Sequence, residues 1–189
     1  MKRNAMVVMV FALLLFAGTF VSWADTTLPE KKQTDLGLYV TAKEAYAKWC
    51  VEPDKIKFLD VRTLAEYIFV GHAPMATNIP LKFFNGGIDP KTMQPVMLEN
   101  KNFVDEVKKK YKKDDVILVM CRSGARSAAA VDELAKAGFV NAYSIVDGFE
   151  GDKLEASGSY RNGQRIVNGW KNSGAPWTYQ LDPRIVYLP

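Results

Sequence analysis

Cys121, Arg122, Ser123, Gly124, Ala125 and Arg126 form the run "CRSGAR", with Ser127 next in the chain. If Arg126 or Ser127 opens a helix, its first N–H groups lack intrahelical partners and the positive end of its dipole points back at the loop. Gly124 permits the backbone twist that turns successive N–H groups inward as a nest for an anion. Arg122 and Arg126 add full charges, and Ser123 and Ser127 can donate hydrogen bonds to sulfur or to a bound anion. Together these favour thiolate over thiol at Cys121.

Such a site is a nucleophilic sulfur in an anion cradle. No histidine and no paired carboxylate lies beside it in sequence, so a reaction with a good leaving group and no required general acid fits best. Attack on the sulfane sulfur of a thiosulfate-like anion expels sulfite and leaves a persulfide on Cys121. A second nucleophile, cyanide or a thiol (a protein thiol included), then removes that sulfur, which is covalent ping-pong catalysis. The cradle would stabilise the charge developing on the sulfur chain.

The elements that must hold this loop alternate. "DVILVM" (115–120) reads as a buried strand, five apolar residues too short for a helix. The helix after the loop is predicted to run to about Ala137, with Gly138 as its C′ glycine. "IKFLDV" (56–61), "ATNIPL" (76–81) and "NAYSIV" (141–146) read as further strands. "LYVTAKEAYAKW" begins with a short extended piece and then carries capping-box spacing, Thr41 with Glu44, ahead of a helix reaching about Trp49; Thr63 with Glu66 repeats that spacing over "TLAEYIF". "NFVDEVKKKY" (102–111) reads as another helix, preceded by "FFNGGIDPKTMQP" (83–95) as a loop. This alternation predicts an α/β fold, a parallel sheet with helices on both faces. Ligands in such sheets bind beyond the carboxyl ends of the strands, where Cys121 falls.

The 189 residues, 48% hydrophobic and 24% charged, fit one globular domain. Lys2 and Arg3, the apolar run 6–20 and Ser22-Trp23-Ala24 have the build of a signal peptide over residues 1–24, cleaved after Ala24. A periplasmic or secreted protein without a stable membrane anchor is the expectation. Residues 25–36 are expected as a flexible leader, 37–180 as the domain and 181–189 as a tail. The full chain has 25 basic and 21 acidic residues; cleavage removes two basic ones, leaving 23 against 21, or +2. That balance gives no case for nucleic acid, and the run "KKKYKK" (108–113) reads as the solvated end of a helix. No cofactor is expected. A zinc site is set aside because His72 is the only histidine and the two cysteines lack ligand spacing. Cys50, in "KWC", reads as a buried apolar thiol.

Four segments resemble the rhodanese family, the thiosulfate sulfurtransferases, in its single-domain form. "LDVRTLAEYIFVGHAPMATNIP" (59–80) is similar to the first signature, and "CRSGARS" (121–127) to the active-site loop. "GFVNAYSIVDGFEG" (138–151) is similar to the second signature, and "GWKNSGAPW" (169–177) to the closing segment. The resemblance implies a rhodanese-like fold in which Cys121 carries the persulfide. It also implies that a six-residue loop selects sulfur over the larger phosphate, for which related phosphatases use seven. Asp60, Arg62 and Glu66 match positions read as scaffold, with Arg62 pairing a carboxylate near the loop, and His72 is expected to be structural. Pro74 and Met75 depart from the family pattern. The insertion "DKLEASGSYRNGQRIVN" (152–168), with Arg161 and Arg165, is either a border or lid of the active site or a plain surface loop. Three other readings stay open: a non-catalytic rhodanese-like module, a phosphatase or arsenate reductase, and a Cys50–Cys121 redox pair.

Overall fold

The computed structural model describes residues 28–188; the expected signal peptide and the first residues of the leader lie outside them. In chain order the elements are β1 (Tyr39–Val40), α1 (Ala42–Val51), β2 (Ile56–Asp60), α2 (Leu64–Val70), β3 (Ala76–Asn78), β4 (Lys82–Ile88) and β5 (Pro95–Glu99). Then come α3 (Phe103–Lys110), β6 (Val116–Met120), α4 (Ala125–Lys136) and β7 (Ala142–Ile145). Five strands form one sheet in the order β1-β7-β6-β2-β3, every neighbouring pair parallel.

The central strand β6 shows why. Ile117, Val119 and Cys121 alternate with Leu118 and Met120, and all five are buried. A strand covered on both faces needs apolar side chains at every position. The first set packs with Val107 of α3 and Ala130, Val131 and Leu134 of α4. The second packs with Ala42 and Ala45 of α1, and with Phe149 and Trp170 from the segment after β7. The fold is α/β, a parallel sheet covered on both faces, as the alternation of segments anticipated.

Both capping boxes form, Thr41 with Glu44 and Thr63 with Glu66. Gly138, at φ +90, ends α4: its N–H donates to Ala135 O and that of Phe139 donates to Leu134 O. That pair of bonds is a Schellman motif, which the left-handed glycine permits.

The structure departs from the sequence reading at several places. Helix α1 continues two residues past Trp49, and β3 stops at Asn78, short of the residue preceding Pro80. The stretch expected as a loop is a hairpin, β4 with β5, whose Phe84 pairs directly with Met97. Its two glycines and Asp-Pro obscured the strand pattern in sequence, because the hydrogen-bonded partner lies across a long turn. The hairpin is fixed at its base: Leu81 N–H donates to Val61 O, Asn100 Nδ2 donates to Pro80 O, and Phe83 packs on Tyr187 at 5.8 Å. The described part of the expected flexible leader is tied down. It makes a 3-10 turn at Glu30–Lys32, Asp35 N–H donates to Asp132 of α4, and Lys32 pairs with Asp152 at 3.3 Å. The tail lies along the sheet edge, where Ile185 O accepts from Asn78 N.

Candidate active site

The loop between β6 and α4 is set by backbone first. Gly124 sits at φ +104 as the residue before α4, and a Cβ there would collide with Val146 O. The conformation and the close approach both require glycine. Gly148 does the same from the opposite side: a Cβ on it would lie 2.5 Å from Cys121 O and 2.6 Å from Ser123 N. That closeness lets Phe149 N–H donate to Cys121 O at 2.7 Å and Glu150 N–H donate to Arg122 O at 3.0 Å. The turn after β7 thus holds two loop carbonyls, while the Gly124 N–H is turned to the sulfur.

Cys121 Sγ accepts from Gly124 N–H at 3.2 Å. Ser127 Oγ stands 3.7 Å from the sulfur, donates to Gly124 O at 2.8 Å and receives the Ser144 hydroxyl at 3.1 Å. Cys121 itself is 1% exposed, and Ser127 and Ser144 are fully buried. Sequence reading found Ser127 by its adjacency; it missed Ser144, which looks like any strand serine until β7 is laid beside β6.

The two arginines part company. Arg126 makes a bidentate pair with Glu66, Nη1 to Oε2 at 2.7 Å and Nη2 to Oε1 at 2.6 Å. The same Glu66 Oε2 caps α2 through Thr63 N–H and Oγ1, each at 3.0 Å. Burial pushes the Glu66 carboxyl up, but the Arg126 and Thr63 bonds outweigh it and hold it at about 2. Burial alone would lower Arg126, and the Glu66 bonds instead raise it above its ordinary value. Glu66 is therefore more than scaffold: it neutralises one of the two cradle charges. Arg122 is exposed and has no carboxylate partner among the described residues. Ser123 and Ala125 are half-buried in the loop between them.

Beneath the loop, Arg62 pairs with Asp60, both fully buried, through Nε and through Nη2 at 2.6 Å, and Nη2 also donates to Gly71 O. The guanidinium lies 4.1 Å over the Phe149 ring, whose backbone grips Cys121. The pair is fully buried, and through the Phe149 ring it touches a residue whose backbone holds the loop. Arg62 Nη1 and Asn78 Oδ1 are buried without partners.

His72 is structural, as expected: Nδ1 lies 3.1 Å from Tyr67 O and the ring stacks on Tyr67 at 3.8 Å. Burial lowers its pKa. Cys50 corrects the sequence reading. It is exposed, because α1 buries Ala42 and Ala45, with Tyr46 and Trp49 beside them, and Cys50 turns off that stripe. Both cysteines are free thiols. Among the described residues no cluster of His, Cys, Asp or Glu is placed to hold a metal ion.

A cleft of about 350 Å³ lies beside the loop, lined by Arg122, Arg126, Thr63, Ala65 and Glu66 on one side and not by Cys121. Phe84, Gln94, Pro95 and Met97 of the hairpin form the other wall. None of residues 152–168 lines it. That insertion closes on itself through Leu154 and Gln164, while Arg165 donates to Gly151 O and Asp152 meets Lys32.

Residues 41–155 match the family described as the rhodanese-like domain. The chain belongs to the rhodanese-like domain family. It is 37% identical over 93 residues to thiosulfate sulfurtransferase 16, chloroplastic, of Arabidopsis thaliana, covering 49% of this chain and 70% of that one. It is 36% identical over 93 residues to senescence-associated protein DIN1 of Raphanus sativus, of which the match spans 46%. Among solved structures, the crystal structure of Rv0390 from M. tuberculosis aligns with TM-score 0.59 and 28% identity over 75% of this rhodanese-like chain and 96% of that one. The solution structure of the rhodanese-like domain of Alr3790 from Anabaena aligns with TM-score 0.51 at 18% identity, over 77% and 82% of the chains.

Proposed function

We propose that this protein is an exported sulfurtransferase. Cys121 takes the sulfane sulfur of thiosulfate or a similar donor as a persulfide and passes it to cyanide or a thiol. The observation that carries this reading is the Gly124 N–H aimed at Cys121 Sγ from the start of α4, at 3.2 Å. A backbone N–H at a helix N-terminus is a donor that the sulfur can accept from throughout the transfer. After attack the outer sulfur of the persulfide is the charged atom, and the Arg122 guanidinium at the mouth of the loop is the cation free to attract it. The six-residue loop and the kinship with a protein named thiosulfate sulfurtransferase support sulfur over phosphate. Two free thiols, one exposed and one buried, give the redox-pair reading no support. The leader sequence supports export, tested by N-terminal sequencing of the protein recovered from the periplasm or medium of an expressing bacterium; a start at Asp25 is expected, and retention of Met1 contradicts it.

The 1% exposure of Cys121 favours a second reading, a non-catalytic module that keeps its thiol shut in. Steady-state thiocyanate formation separates the two. Sulfur transfer predicts parallel double-reciprocal lines for thiosulfate and cyanide, abolished in Cys121→Ser. A module predicts no thiocyanate above the buffer rate.

A further inference from the structure

Cys121 is 1% exposed and does not line the cleft beside its loop. A reagent meets the sulfur only when some neighbour of the loop moves aside. Two of those neighbours are held firmly. The turn after β7 is bonded through Phe149 N–H at 2.7 Å and Glu150 N–H at 3.0 Å, and Glu66 grips Arg126 through two bonds. A third comes from the leader, outside the matched residues 41–155. Lys32 Cδ lies 3.0 Å from where a Cβ of Gly124 would stand. Its stem thus backs the residue whose N–H meets Cys121 Sγ.

The leader segment is fastened at both ends. Asp35 N–H donates to Asp132 on α4, and the turn Glu30–Lys32 packs on the same helix. At the other end Lys32 Nζ reaches Asp152 Oδ1 at 3.3 Å. Asp152 is itself set in place: its N–H donates to Asn168 Oδ1, and its Oδ2 accepts from Asn168 Nδ2. The insertion 152–168 therefore presents a fixed carboxylate to the leader. The Lys32–Asp152 contact is longer than the other fastenings of the loop, and the Asp152 side chain is 47% exposed. A pair of this kind is weak and is screened by salt.

We infer that Lys32 and Asp152 form a clasp that closes the leader over Gly124, and that its release is the motion that opens the way to Cys121. The leader and the insertion are then two halves of one gate. This holds whatever group Cys121 transfers, because the only contact broken is the ion pair.

The test is the rate at which iodoacetamide, a small neutral reagent, alkylates each cysteine of the native protein, followed peptide by peptide with mass spectrometry. Where access needs a local opening, that rate follows the open population. Lys32→Met keeps the stem and removes the charge, and Asp152→Asn keeps the shape of the acceptor side chain. Each should speed alkylation of Cys121 by about two- to five-fold, the range for a partly exposed ion pair, and leave exposed Cys50 unchanged. About 1 M KCl should speed Cys121 by a similar factor in the parent protein and have little effect in Lys32→Met. Hydrogen exchange separates a local clasp from a general loss of stability. Protection should fall in the leader and in residues 121–126 of the variants while holding in β6 and α1. A Cys121 rate in Lys32→Met equal to that of the parent, or a salt response that both share, would overturn the clasp. An equal loss of protection in β6 would overturn it as well, since the pair would then stabilise the whole fold and gate nothing.

Discussion

Arg126, at the start of α4, and Glu66, at the start of α2, are locked by two parallel hydrogen bonds of 2.7 and 2.6 Å. The pair joins the loop after β6 to α2, the helix of the neighbouring crossover, and Glu66 closes a capping box with the same carboxylate.

This linkage has a definite pH signature. The folded Glu66 carboxyl stands at about 2, against an ordinary value of 4.5, so it is depressed in the native state. Its contribution is present above about pH 4.5 and is lost as pH falls toward 2, amounting to about 3 kcal/mol over that window. Urea unfolding at a series of pH values should show this loss in the native protein. Glu66→Gln should be less stable at pH 7 and should flatten the acid limb. An unchanged acid limb would mean the pair contributes nothing.

Gly124 tests the loop geometry. At φ +104, with Val146 O in the path of a Cβ, Gly124→Ala must either strain or displace the loop. A stability loss of about 1–3 kcal/mol in urea is expected, together with loss of sulfur uptake by Cys121. A variant with native stability and native uptake would show that the loop is not held as described.

The Asp60–Arg62 pair is fully buried, so removing one partner strands a charge. Asp60→Ala or Arg62→Ala should each cost about 3–5 kcal/mol, while an apolar double replacement should recover much of that. Denaturation midpoints of the three variants give the comparison, and equal losses in single and double variants would contradict the pair's role.

The thiols should differ in access. Cys50 is exposed and Cys121 is 1% exposed. A bulky maleimide should therefore label Cys50 in the native protein and reach Cys121 only on unfolding, as peptide mapping by mass spectrometry would reveal. Equal native labelling of both would place the sulfur at the surface.

Much of this was legible in the sequence where the signal is local. The six-residue loop, both capping boxes, the Schellman glycine at 138 and the buried strand 116–120 rest on residue types at fixed spacing. What was not legible depends on contacts across long separations. Glu66 reads as a helix cap because its second partner, Arg126, is 60 residues away. Ser144 enters the site only through the pairing of β7 with β6. The hairpin reads as a loop because glycines and a proline mask its alternation. Cys50 was placed inside from the company of Trp49, whereas helix rotation put it outside.

The central claim is that Cys121 carries the transferred sulfur. Intact-mass spectrometry of the purified protein after brief incubation with thiosulfate tests it most directly. The account predicts a gain of one sulfur atom on the Cys121 peptide, removed by cyanide and absent in Cys121→Ser. A protein whose mass is unchanged by thiosulfate, or one that gains sulfur equally in the Cys121→Ser variant, would contradict it.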